Sequence, residues 1–170
     1  MADEAKPLIT DGPRALGGLL ALASGLMLAG AFYFQYVEGL QPCPLCISQR
    51  WAHAACLVVG LATAFAGRGS VAPPLLALLT LCFVASMGIA GYHVAVEQGW
   101  IESSFCGAGD VVGQTVEELK AALWETAILR CDEVPWSLAG ISMAGYNMMI
   151  SSLLAGVAAW SLRKTGLSRA

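Results

Sequence analysis

Residues 37–66 read VEGLQPCPLCISQRWAHAACLVVGLATAFA, and this stretch decides the fold. Its first half holds a C-x-x-C motif, Cys43-Pro44-Leu45-Cys46, with Arg50 four residues beyond. Its second half, from Trp51 to Ala66, contains no Asp, Glu, Lys or Arg. A soluble thiol-exchange domain carries its dithiol on a βαβ pattern, and no such pattern surrounds this one. The dithiol instead opens an apolar run. With Arg50 reaching the interface along its own aliphatic stem, the run extends from Ile47 and approaches the roughly 20 residues that cross a hydrocarbon core of about 30 Å.

Three further runs lack Asp, Glu, Lys and Arg: Ala15–Val37, Val71–Val96 and Trp136–Leu162. The whole chain is 57% hydrophobic and 12% charged, against about 25% charged in ordinary soluble domains. The expected fold is therefore an all-α membrane protein, a single four-span bundle over residues 1–170. Its spans fall at about 15–37, 47–66, 72–96 and 136–162, joined by outer loops at 38–46 and 97–135. Ala29-Gly30-Ala31 resembles a signal-peptide cleavage site, but the run continues past it to Val37 and acidic residues precede it, so the first run is expected to stay as a span.

Lys and Arg set the orientation. Lys6, Arg14, Arg68, Arg163, Lys164 and Arg169 lie on one side of this topology, and Arg50, Lys120 and Arg130 on the other. The positive-inside rule puts both termini in the cytoplasm and both larger loops outside. A net charge of −3 without a basic cluster gives no reason to expect a nucleic-acid partner.

Cysteines follow the same division. Cys43, Cys46, Cys106 and Cys131 fall in the outer loops, whereas Cys56 and Cys82 lie within apolar runs. An even set on an oxidising face reads as disulfide chemistry, and the two in the spans read as small packing residues. The long loop is organised. Thr115 followed by Glu118 fits a capping box, and Val116, Leu119, Leu123 and Ile128 recur near helical spacing, so a short amphipathic helix lying on the membrane is expected before Cys131.

The C-x-x-C spacing allows a small disulfide ring at a helix N-terminus. Unpaired N–H groups and the helix dipole favour an anionic sulfur there, and Arg50, one turn beyond Cys46, adds positive potential. Pro42 and Pro44 stiffen the approach. A zinc site made of the four outer cysteines would lack the usual knuckle spacing, because Cys106 and Cys131 are separated by 24 residues. No metal is expected.

The four spans, Cys43-Pro44-Leu45-Cys46 with Arg50, and Cys106 and Cys131 in a long second outer loop together resemble the disulfide bond formation protein B (DsbB) family. The resemblance runs from Ala15 to Leu162. It implies a bacterial inner-membrane enzyme, a protein-disulfide:quinone oxidoreductase that reoxidises a periplasmic DsbA-like dithiol protein and reduces a quinone of the membrane pool, ubiquinone or menaquinone. By the same resemblance Cys106 receives the partner's thiolate, Cys131 is its mate in the loop disulfide, and Cys43 exchanges with that pair. Cys46 faces the quinone, Arg50 holds thiolate charge and ring oxygen, and His93 stands near the ring. Gln49 occupies a position where an acidic side chain is expected.

Two other readings use the same sequence. His53 and His93 stand at similar depths in neighbouring spans, which allows bis-His ligation of a b-type haem. A non-enzymatic four-span scaffold with stapled outer loops, similar to a tetraspanin, would explain the cysteines but not Arg50 at the membrane boundary.

Overall fold

The computed structural model describes residues 12–67, 69–102 and 130–167. Four long helices make up most of it: α1 (Pro13–Tyr36), α2 (Pro44–Ala66), α3 (Ala72–Glu97) and α4 (Met143–Leu167). Proline stands in the opening turn of α1, α2 and α3, where its missing N–H would have no partner in any case. Three segments, Pro13–Tyr36, Pro44–Ala66 and Gly69–Glu97, are long and apolar enough to cross a membrane.

The outer faces differ from those of a water-soluble bundle. Leu22, Leu26, Val58, Leu81 and Leu153 are exposed on the outer faces, while Ser24, His53, Thr63, Ser86, Asn147 and Ser151 are buried between helices. Apolar side chains outside and polar ones inside suit a lipid surround, in which an unpaired polar group is costly. The chain is a multi-pass membrane protein.

Packing follows chain order. α1 lies on α2, α2 on α3 and α3 on α4, whereas α1 meets α4 at few points. The α1–α2 crossing is close because glycine faces the partner helix from both sides. A Cβ on Gly17 would stand 2.7 Å from Thr63 Cβ, and one on Gly60 2.9 Å from Ala21 Cβ. Small residues at such crossings let backbones approach and gain dispersion contacts where lipid removes the hydrophobic drive. Toward one end a core of Leu16, Leu20, Cys56, Leu76, Leu79, Phe83, Ala155 and Ala158 joins all four helices. A second cluster, Cys43, Leu45, Val96 and Cys131, lies where α2 begins and α3 ends.

Two helix boundaries differ from those expected. α2 starts at Pro44 rather than at Ile47, because Cys43 caps it and the C-x-x-C is drawn into its first turn. α4 starts at Met143 rather than near Trp136. The preceding residues form a hairpin, β1 (Ser137–Leu138) with β2 (Ile141–Ser142), in which Ser137 pairs with Ser142 and Leu138 with Ile141. Its two turn residues, Ala139 and Gly140, take φ of 51° and 78°, the left-handed pair that a tight hairpin needs. The apolar run carries no period that separates such a hairpin from a helix. The amphipathic helix expected after Thr115, and Cys106 with it, fall outside the described residues.

Candidate functional site

The site begins with the N-terminus of α2. Cys43 is its N-cap in an extended conformation, and its Sγ accepts the Cys46 backbone N–H at 3.2 Å. The sulfurs stand 2.9 Å apart, with Cys43 Sγ–H donating to Cys46 Sγ. That is closer than van der Waals contact and longer than the roughly 2.05 Å of a disulfide, so little movement separates dithiol from bridge. The hydrogen bond to Cys46, then burial, hold the Cys43 thiol above its ordinary range. The sulfur that caps the helix is thus Cys43's, while Cys46 sits one turn inside.

Around this pair the ends of α3 and α4 close. Cys131 is fully buried, packs in the same cluster as Cys43 and Leu45, and is disulfide-bonded. His93 on α3 brings Nε2 to 3.6 Å from Cys43 Sγ and 3.8 Å from Glu97 Oε1, one turn on. The His93 ring also meets the Cys131 backbone. Its Nδ1 is 2.7 Å from the Gln49 amide, whose Oε1 accepts from Asn147 Nδ2 at 2.6 Å. Asn147 Oδ1 in turn meets His53 Nε2 at 2.7 Å and accepts from Ser151 Oγ at 3.0 Å. Glu97 accepts from the Ser142 hydroxyl, and the same Ser142 Oγ caps α4 by accepting the Gly145 N–H at 3.1 Å. One serine therefore ties the start of α4 to the end of α3.

A cavity of about 490 Å³ opens beside the dithiol, between α1, α2 and α4, where α1 and α4 part. Leu26, Met27, Phe34, Trp136 and Ile150 give it apolar walls, and Cys46, Arg50, His93 and Glu97 give it a polar end. Apolar walls with a few convergent polar groups describe a small-molecule site. The Arg50 guanidinium is held on α1: Nη2 donates to Ala31 O at 3.1 Å, Nη1 donates to Gln35 Oε1, and the group lies 5.2 Å from the Phe32 ring centroid. Phe34 and Tyr146 flank Trp136, with ring centroids 5.1 Å and 6.4 Å away. At the mouth, Arg130 forms a two-point pair with Asp132, and that pairing holds the Asp132 carboxyl below its ordinary range.

Cys43, Cys46, Arg50 and His93 line one cavity, and Cys131 lies against them; Cys106 falls outside the described residues. Cys56 is buried in the core and Cys82 packs against it, both as free thiols, matching their expected packing role. Sequence reasoning missed Glu97, Asn147 and Ser142. Glu97 had a signal, since it lies four residues after His93 on the same helix. Asn147, one polar residue in a long apolar run, had another. The bis-His reading loses support, because the Gln49 and Asn147 amides occupy the line between His93 and His53. Cys43, Cys46 and His93 bring three ligand atoms within 4.8 Å of one another.

Residues 13–161 match the family model described as disulfide bond formation protein DsbB. A disulfide bond formation protein B of Verminephrobacter eiseniae is 36% identical over 153 residues, covering 84% of this chain and 81% of that protein. One of Stutzerimonas stutzeri is 32% identical over 158 residues, covering 88% and 94%. One of Herminiimonas arsenicoxydans is 46% identical over 79 residues, covering 46% and 49%.

Proposed function

Because the chain belongs to the disulfide bond formation protein DsbB family, we propose that it reoxidises a DsbA-like dithiol protein outside the inner membrane and passes the electron pair to a membrane quinone. The observation that carries this reading is one juxtaposition: the Cys43–Cys46 pair shares a packed cluster with a buried disulfide cysteine, Cys131, and also lines an apolar cavity. In this reading α4 is a fourth crossing. Its packing along α3 supports that, from Ser142 beside Glu97 to Ala155 and Ala158 beside Leu76, Leu79 and Phe83.

The relay has two exchanges. The partner's thiolate attacks Cys106 of a Cys106–Cys131 disulfide, and the partner's second thiol resolves the mixed disulfide, leaving Cys106 and Cys131 reduced. These then reduce a Cys43–Cys46 disulfide through Cys43, which packs in the same buried cluster as Cys131. Each exchange breaks one S–S bond, forms another and moves two electrons. The re-formed dithiol gives up two electrons and two protons as its bridge closes, and the quinone, ubiquinone or menaquinone, takes both. Its apolar walls and its Arg50 end fit the cavity to such a ring. Arg50 holds negative charge at that end, His93 faces Cys43, and the apolar walls exclude water.

The test separates the two halves of the relay. Cys46→Ser is expected to abolish quinone reduction in membranes while a reduced partner still forms a mixed disulfide with Cys106. Turnover at the unaltered rate in that variant would refute the assignment.

A further inference from the structure

We propose that the reduced Cys43–Cys46 pair, with His93 and Glu97, forms a binding site for a thiophilic cation, Zn²⁺ being the representative. The site exists only in the reduced half of the cycle. It differs from a four-cysteine zinc site because it draws on one C-x-x-C and on a His-x-x-x-Glu pair of α3.

The geometry carries this. A tetrahedral zinc with bonds of about 2.3 Å to sulfur and about 2.0 Å to nitrogen or oxygen separates its ligand atoms by roughly 3.3–3.8 Å. Cys43 Sγ and His93 Nε2 are already 3.6 Å apart, and His93 Nε2 and Glu97 Oε1 3.8 Å. The sulfurs, at 2.9 Å, must part, which a rotation of Cys46 about its Cα–Cβ bond supplies, and the Glu97 carboxylate, which stands outside the group of three formed by the cysteines and His93, must swing in to take the fourth position. All three ligand atoms of the cysteines and histidine lie within 4.8 Å of one another.

The outer contacts fit as well. A histidine that ligates through Nε2 is held by a hydrogen bond at Nδ1, and a ligating carboxylate is itself hydrogen-bonded. Gln49 holds His93 Nδ1 and is anchored by Asn147, while Ser142 donates to Glu97. Turning the two amides over together puts Gln49 Oε1 on the Nδ1–H and leaves the Nε2 lone pair for the cation. Amide oxygen and nitrogen occupy nearly the same space, so this costs no repacking. Entry is through the cavity, which all four side chains line.

Binding forms two metal–sulfur bonds and releases the two thiol protons to water; no electron moves. The occupied pair cannot close its bridge. Under the function proposed above, the cation therefore traps the protein reduced and stops electron delivery. The binding itself requires only the reduced dithiol, whereas the inhibition rests on that function.

The experiment uses the full chain carrying Cys106→Ser and Cys131→Ser, reduced without oxygen in detergent micelles and titrated with Co²⁺. A thiolate-to-cobalt charge-transfer band is expected, saturating at one ion per chain and displaced by Zn²⁺. The band is absent once Cys43 and Cys46 are oxidised to a disulfide. His93→Ala weakens binding by about tenfold or more, with an unchanged helical circular-dichroism spectrum and unfolding midpoint confirming that the variant is folded. No band in the reduced chain, or a band of equal affinity in His93→Ala, overturns the proposal. In the unaltered chain, Zn²⁺ at the same concentrations is expected to slow quinone reduction. A chain that binds Co²⁺ in this way but reduces no quinone keeps the cation site and refutes the proposed function instead.

Discussion

Arg50 makes two hydrogen bonds and one ring contact, and all three belong to α1, not to the sulfur one turn before it. The sequence put Arg50 and Cys46 on one helical face, which follows from 3.6 residues per turn. Where a long flexible side chain ends is a tertiary matter, decided here by the Ala31 carbonyl, Gln35 and Phe32. A cation among apolar helices is expensive without such partners, and under the proposed function its place in the cavity wall sets it against the quinone's polar head group. Arg50→Ala is expected to raise the apparent KM for quinone by about tenfold, equivalent to about 1.4 kcal/mol, measured as quinone-dependent oxidation of a dithiol partner. Arg50→Lys should recover only part of this, because one ammonium cannot span the Gln35 and Ala31 contacts. An unchanged KM in both variants would remove Arg50 from the site. His93 shows the same division. Its depth was legible, whereas its engagement by Gln49 of α2, itself anchored by Asn147 of α4, was not.

Helix α2 does two jobs through its two ends. Its first turn carries the dithiol, and its later turns carry Gly60 and Thr63 against Gly17 and Ala21 of α1. The close crossing fixes how α1 leans, and hence where Ala31, Phe32 and Gln35 meet Arg50. Gly60→Leu is expected to destabilise the bundle by about 1–3 kcal/mol through overpacking, read as an earlier unfolding midpoint in denaturant. Gly88→Ala on α3 serves as the control, since a Cβ there meets nothing within 4 Å. Equal stability of Gly60→Leu and the parent would mean that the crossing is not close. Apolar runs revealed these helices, but their period is weak: residues facing lipid and residues facing neighbours are both apolar, so composition shows a span without showing its inner face. The hairpin before α4 was hidden for the same reason.

Across the whole molecule, α1 and α4 part on one side, and the cavity occupies that opening beside the dithiol. The proposed relay needs this face outside the cytoplasm. In a cysteine-free background, Glu38→Cys is expected to react with a membrane-impermeant maleimide in intact cells, while Ser70→Cys and Arg163→Cys react only after lysis. Labelling of Ser70→Cys from outside would invert the topology, and labelling of Arg163→Cys would deny α4 its crossing. The membrane class and the family were legible in the residues alone, because hydropathy and motif spacing are local along the chain. Only the tertiary structure decided that Cys43 rather than Cys46 caps α2, that Glu97, Asn147 and Ser142 belong to the site, and that the cavity lies between α1, α2 and α4. Those outcomes depend on which side chains from distant segments satisfy one another's hydrogen bonds in a medium without water, and no local pattern encodes that choice.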